Sequence, residues 1–253
     1  MSKKRFERKK PSFAYRIVKR LVRFFYRKYE TRGGENIPQE PCVIVANHSQ
    51  LHGPLAYEFY TPVSRATWCA AEMMEWKEIP SYAYEDFWPL KKKWQRPFYK
   101  IASYLIAPLA MLLFNNAETI PVYRDRRIVK TLKLSSERME AGDCVVIFPE
   151  YAKEDNGVLC DLRDGFVDVA RTYYKRTGKA VCFVPSYLSP KLKLMTFGEP
   201  VRWDPDADTA AERARIKAEM RERITALAKA LPPHTVVPYI NVPKREYTKN
   251  REE

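Results

Sequence analysis

Three histidines occur in the 253 residues, and one of them stands where acid–base chemistry has a natural home. His48 lies in VIVANHSQLHGPL, directly after an apolar, β-rich run. Open α/β sheets gather their ligands at the carboxyl ends of strands. A neutral imidazole there can take a proton from a hydroxyl, typically worth about 10²–10⁴ in rate. Three other segments also follow or contain apolar runs. TIPVYR ends on Arg124, GDCVVIFPEYAK carries Phe148, Pro149, Glu150 and Lys153, and FVPSYL spans 183–188. Arg offers a phosphate two parallel donors, whereas Lys offers charge without the planar fork. His48 and His52 are four apart and would share one face of a helix, but Gly53-Pro54 works against a helix there. No HExxH or paired CxxC accompanies them, so no metal site is expected. Cys160 has no His in a matching context and reads as an ordinary thiol.

These residues need a frame, and the hydrophobic pattern supplies one. CVIVA (42–46), ATWCAA (66–71), Thr119–Val122, CVVIF (144–148) and AVCFV (180–184) read as short buried strands, and KLKLMTF (191–197) alternates like an edge strand. Helices are expected near Pro54, over Glu72–Lys77, from Asp125 to Glu140 with Gly142 as a stop, over 163–176, and over 209–231. In the last of these, Thr209 and Glu212 form a capping box, and Ile216, Met220, Ile224, Leu227 and Leu231 form the apolar stripe. Buried strands alternating with helices predict an α/β domain with a mostly parallel sheet. Residues 78–96, rich in aromatics, Pro and Lys, fit no element. The tail after Pro232 is polar and is expected to be poorly ordered. The expected division is a basic arm (1–32), an α/β domain (33–232) and a C-terminal tail (233–253).

The charge is localised. Of 45 Lys and Arg, 13 fall in residues 1–32 against Glu7 and Glu30, so the arm carries +11 of the net +14 and the rest of the chain only +3. That balance makes the domain a poor nucleic-acid binder. Within FAYRIVKRLVRFFYRKY (13–29), Arg16, Lys19, Arg20, Arg23 and Arg27 share a sector about 100° wide. Ala14, Ile17, Val18, Leu21, Phe24, Phe25 and Tyr29 occupy the other side. This is the pattern of a helix lying in an anionic membrane interface, and residues 13–29 are expected to meet one; the alternative is a helix packed on the domain with its basic side in water. IASYLIAPLAMLLF (101–114), broken by Pro108, is too short to span a bilayer. It is either core or a second element dipping into the membrane surface. Nothing after MSKKRFERKK resembles a signal peptide, and Cys42, Cys144 and Cys182 sit in strand-like runs as reduced thiols would in the cytosol.

In order and spacing, the four segments resemble the motifs of the glycerolipid acyltransferase family that contains the lysophosphatidic-acid acyltransferases. GGENIPQEPCVIVANHSQ resembles the approach to its first motif, Asn-His with an Asp after four intervening residues. TIPVYR resembles the second, whose Arg contacts the acceptor's phosphate. GDCVVIFPEYAK resembles the third, Phe-Pro-Glu-Gly-Thr-Arg, and FVPSYL resembles the fourth. The resemblance implies transfer of a fatty acyl group from acyl-CoA or acyl-carrier protein to a hydroxyl of a lysophospholipid or glycerol-phosphate-like acceptor. His48 would be the base and Glu150 the motif carboxylate. Asn47, Arg124, Phe148, Pro149 and Lys153 would contact substrate, with no cofactor beyond the acyl thioester. It also implies a peripheral or monotopic place on the cytoplasmic face of the cell membrane. Two positions depart from the family. Gly53 stands where the Asp is usual, and Tyr151 replaces the Gly after Phe-Pro-Glu. Another group then orients His48, with Glu150, Glu58, His52 and the substrate's own phosphate as candidates. Alternatively, the chain keeps the fold as a lipid-binding or scaffold protein without turnover.

Overall fold

The computed structural model describes residues 10–26, 28–87 and 93–251. Its centre is an eight-stranded sheet whose five mutually parallel strands run from the middle to one edge. In spatial order these are β6 (Cys182–Ser189), β2 (Val43–Ala46), β5 (Cys144–Ile147), β3 (Arg65–Ala70) and β4 (Thr119–Val122). Three strands continue the β6 side. β7 (Leu194–Phe197) pairs antiparallel with β6, β1 (Glu30–Arg32) lies parallel to β7 at the edge, and β8 (Val201–Arg202) pairs antiparallel with β6. KLKLMTF is therefore not an edge strand: all four β7 residues are buried, and the arm's own β1 covers it. A three-residue strand is too short to leave a periodic signal.

The central strands are buried on both faces, as sheets covered by crossover helices require. On one face Val43, Val45, Val145, Ile147 and Phe183 pack with α6 (Asp168–Thr177) and α7 (Thr209–Ala230). Ile216, Met220, Ile224 and Ala228, four apart, are the fully buried stripe of α7. Its N-cap is Asp208, whose carboxylate accepts from the N–H groups of Ala210 and Ala211, and Glu212 instead bonds Asp204 N and Arg215. On the other face Ile44, Val146 and Val184 meet Ala56 and Tyr57 of α2 (His52–Tyr60). That helix runs through Gly53-Pro54, because Pro lacks only an N–H that the first turn leaves unused. Between β4 and β5 lies α5 (Ile128–Glu140).

The unassigned aromatic segment forms α3 (Ile79–Phe87), with Trp88 outside the described residues. It packs on α4 (Arg96–Asn116), which continues through Pro108 for 21 residues. At about 1.5 Å per residue that is about 31 Å. The segment 93–116 is long and apolar enough to cross a membrane by length and composition, contrary to the expectation from 101–114 alone. Only one stripe of it, Ser103, Ala107 and Ala110, is buried. Phe98, Ile101, Tyr104, Leu105 and Leu109 face outward.

The arm's helix, α1 (Phe13–Phe25), is capped by the Ser12 side chain, and Ser12 N also donates to Asn116 at the foot of α4. Tyr15 and Lys19 turn inward onto Glu58, which also pairs with Arg65 at 2.6 Å. Lys19 is thus an ion-pair partner of the domain rather than part of a free basic stripe. Arg27 lies outside the described residues, and Tyr29 is buried beyond the helix. The tail after α7 is packed rather than loose, with His234, Val236 and Asn250 buried.

Candidate functional site

The loop after β2 and the loop after β5 meet at adjacent carboxyl ends of the sheet. His48 N–H donates to Glu150 Oε1 at 2.6 Å, and Cys160 N–H donates to Glu150 Oε2 at 3.1 Å. Glu150 also bridges to Leu162 across its own loop. Its carboxyl is thus a brace between two backbones and makes no bond to the imidazole. Burial raises its pKa to about 7, against the pull of those two N–H donors.

Asn47 is 2% exposed and equally structural. Its Oδ1 accepts from Leu188 N at 2.7 Å, while Nδ2 donates to Leu188 O at 3.1 Å and Ser49 Oγ at 2.8 Å. This side chain latches the loop to β6. Ser49 and Gln50 then adopt φ of 47° and 55°, a left-handed pair that non-glycine residues enter only at a cost of about 1–2 kcal/mol each. The strained turn lets the chain enter α2 with Gly53 N bonded back to His48 O at 3.0 Å.

The imidazole itself is half-buried, edge-on to Phe148 at 5.3 Å and to Tyr239 at 5.5 Å. Burial lowers its pKa to about 4, which the Gln50 backbone only partly offsets, so the ring is neutral at neutral pH. Nδ1 is buried with no partner in hydrogen-bonding geometry among the described residues. None of the three side-chain candidates fills that role. Glu150 binds backbone, Glu58 binds Tyr15, Lys19 and Arg65, and the hydrogen bond from His52 is its N–H to Ser49 O. The family's Asp position is closed as well, since a Cβ on Gly53 would lie 2.2 Å from His48 O.

Arg124 and Lys153 are exposed, each beyond the carboxyl end of its strand and on the same sheet edge as His48. Lys153 follows β5, the neighbour of β2. Arg124 follows β4, three strand intervals from β2, or about 14 Å at ~4.8 Å each. Tyr151 donates its hydroxyl to Asp161 Oδ2 at 2.8 Å, where Lys217 also binds at 2.9 Å. Although burial opposes it, these partners hold Asp161 down to about 2. Phe148 borders the imidazole, and Pro149 is buried and accepts from Arg163 N through its carbonyl. Sequence reasoning missed Tyr239, which lies in a tail read as polar. The apolar run VVPYINV (236–242) was the available signal. Among the described residues no cluster of His, Cys, Asp or Glu is arranged to hold a metal ion.

No protein-family model and no curated protein matches the chain. Among solved structures it is similar to the crystal structure of the 1-acyl-sn-glycerophosphate (LPA) acyltransferase PlsC from Thermotoga maritima. The two are 15% identical, the match covers 84% of this chain and 78% of that one, and the TM-score is 0.46. No residue role follows from a likeness at that level.

Proposed function

We propose that the chain is a membrane-associated acyltransferase that moves a fatty acyl group from an acyl thioester to a hydroxyl of a lysophospholipid or glycerol-phosphate-like acceptor. The observation carrying this reading is the neutral His48 ring at the carboxyl edge of a parallel sheet, with the cations of Arg124 and Lys153 on the same edge. The imidazole takes the proton of the acceptor hydroxyl as its oxygen attacks the thioester carbonyl. When the tetrahedral adduct collapses, the C–S bond breaks and the departing thiolate takes that proton from the imidazolium. Asn47 and Glu150 hold the two loops that carry the ring and Phe148. Without a carboxylate on Nδ1 the imidazolium is poorly stabilised, so a modest rate is expected.

We place the chain at the cytoplasmic surface of a membrane, and the outward apolar faces of α1 and α4 support the membrane contact. Phe13, Ile17, Leu21, Phe24 and Phe25 are all more than half exposed. Fully burying one such side chain contributes about 1.5–3 kcal/mol, enough in sum for interfacial anchoring. A second reading, lipid binding without turnover, is favoured by the closed Gly53 position. Product formation from lysophosphatidate and acyl-CoA or acyl-carrier protein, in wild type and His48→Ala, decides between them. Turnover lost in His48→Ala supports the enzyme. Lysolipid binding with no product from any donor supports the second reading, and equal turnover in both proteins removes His48 from the chemistry.

A further inference from the structure

The end of α1, the end of α2 and the turn between β6 and β7 enclose an open groove of about 700 Å³ at the β1 edge of the sheet, the far edge from Arg124. Its floor is Tyr29, Phe59 and Tyr60, backed by Tyr26, whose ring centre lies 5.7, 5.9 and 6.4 Å from theirs. Tyr29 is buried and Tyr60 OH donates to Tyr26 O at 3.2 Å, so this floor is fixed before any ligand arrives. The walls are basic. Arg23 from α1, Lys28 from the link to β1 and Lys193 from the β6–β7 turn line the groove, and none of them forms an ion pair among the described residues. The Arg23 guanidinium stands 5.9 Å from the centre of the Tyr60 ring. Glu30, the acid among the lining residues, is held by Arg32 at 2.7 Å. Lys193 has φ of 53°, and its carbonyl accepts from Glu30 N at 2.9 Å. Glycine would take that left-handed turn at less cost, and what Lys adds there is a cation on the rim.

Three cations over an aromatic floor suit one phosphate that carries a bulkier organic body. An extended nucleic acid needs a longer basic track, and beyond residue 32 the chain has a net charge of only +3. The wall formed by α1 points to the source, since Phe24 and Phe25, next to Arg23, are 81% and 74% exposed. We propose that this groove holds the phosphate head group of an anionic phospholipid, so that the end of α1 is clamped to one lipid molecule as well as lying in the interface. The proposal rests on the reading of α1 as a membrane contact. The phosphate takes a bidentate pair of hydrogen bonds from Arg23 and single ones from Lys28 and Lys193. The glycerol lies over Tyr29 and Tyr60, and the acyl chains leave past Phe24 and Phe25.

The test uses the full chain and dihexanoylphosphatidylglycerol below its micelle concentration, titrated by calorimetry beside inorganic phosphate. Lys193→Gly is the informative variant. It removes a cation and relieves the left-handed turn, so it should fold at least as stably as wild type. Lys193→Gly and Lys28→Gln should each weaken binding of the short-chain lipid about fivefold. Arg124→Gln, at the far edge of the sheet, should leave that binding unchanged. Inorganic phosphate should bind about 10-fold more weakly than the lipid, because it leaves the aromatic floor bare. Equal lipid affinity in wild type and both Lys variants overturns the site. So does a loss confined to Arg124→Gln, or inorganic phosphate bound as tightly as the lipid. Flotation with phosphatidylglycerol vesicles separates the groove from the membrane reading. A wild type that floats but does not bind the short-chain lipid keeps the membrane contact and removes the groove. A wild type that binds it through Lys28 and Lys193 but does not float removes the membrane contact and keeps head-group recognition.

Discussion

A Cβ on Gly53 would lie 2.2 Å from the carbonyl oxygen of His48, nearer than any unbonded carbon and oxygen can approach. The backbone φ of Gly53 is not left-handed, so the glycine is required by space alone. The absent carboxylate is therefore excluded by the loop and cannot simply be restored. In an open helix interior Gly→Ala stabilises by up to about 1 kcal/mol. Here Gly53→Ala should instead destabilise by about 1–3 kcal/mol in urea unfolding, because the strained turn at Ser49 and Gln50 must move. Gly53→Asp should be worse, with no gain in turnover. A stable and faster Gly53→Asp would show that the loop yields and that the carboxylate was the missing part.

His48 and Glu150 should tilt stability in opposite directions. His48 has a pKa lowered to about 4 by burial. Its contribution is complete above its unfolded value near 6.5 and is lost as pH falls toward 4. Glu150 is raised to about 7, so its contribution is complete below about 4.5 and is lost as pH rises through 7. Across pH 4.5–6.5 the two slopes oppose, each at most about 1.4 kcal/mol per pH unit and less for the half-buried ring. Chemical unfolding of wild type should vary little with pH there. His48→Gln should lose stability as pH rises and Glu150→Gln should gain it. Parallel curves for all three proteins would show that neither group is perturbed.

Much of the frame was legible because β2 and β5 at the heart of the parallel sheet are runs of Val, Ile, Ala and Cys, and the α7 stripe repeats every four residues. The edge strand Glu30–Arg32 was not, because three polar residues carry no period and its place depends on pairing with Leu194–Thr196. At the site, the structure brings His48, Glu150 and Phe148 together. The partners of each polar atom were hidden, since they depend on loops meeting in space. In sequence Asn47 looks like a substrate ligand and Glu150 like the motif's catalytic carboxylate, and in the fold both hold backbone groups. Tyr239 is 191 positions from His48, and no local pattern joins them.

Asn47 offers a direct check of that distinction. Asn47→Ala strands the Leu188 N–H and carbonyl in a buried place, at a cost of about 2–4 kcal/mol. Asn47→Asp keeps the acceptor but sets a carboxylate against Leu188 O, and should be no more stable. Both effects are read as shifts in the urea midpoint at constant slope. Unchanged midpoints with a raised KM would return Asn47 to substrate binding.

The proposed membrane contact makes its own prediction because α1 has three sides. At 100° per residue, Tyr15, Val18, Lys19 and Val22 face the domain. Phe13, Ile17, Leu21, Phe24 and Phe25 form an outward apolar sector, and Arg16, Arg20 and Arg23 lie together on the remaining side, exposed. Each free cation near anionic lipid contributes on the order of 1 kcal/mol, about a fivefold change in partitioning. In flotation with phosphatidylglycerol vesicles, Arg16→Gln and Arg20→Gln should each weaken binding about fivefold at low salt. The difference should shrink as salt screens the surface. Lys19→Gln should have little effect on partitioning, since its ammonium is held by Glu58, and should instead lower stability modestly. Phe24→Ser with Phe25→Ser should weaken binding by 100-fold or more, at about 1.5–3 kcal/mol per buried aromatic. Loss on Lys19→Gln equal to that on Arg20→Gln would mean the helix leaves the domain when it meets lipid. Unchanged flotation of the double Phe variant would remove α1 from the membrane contact and leave that role to the outward face of α4.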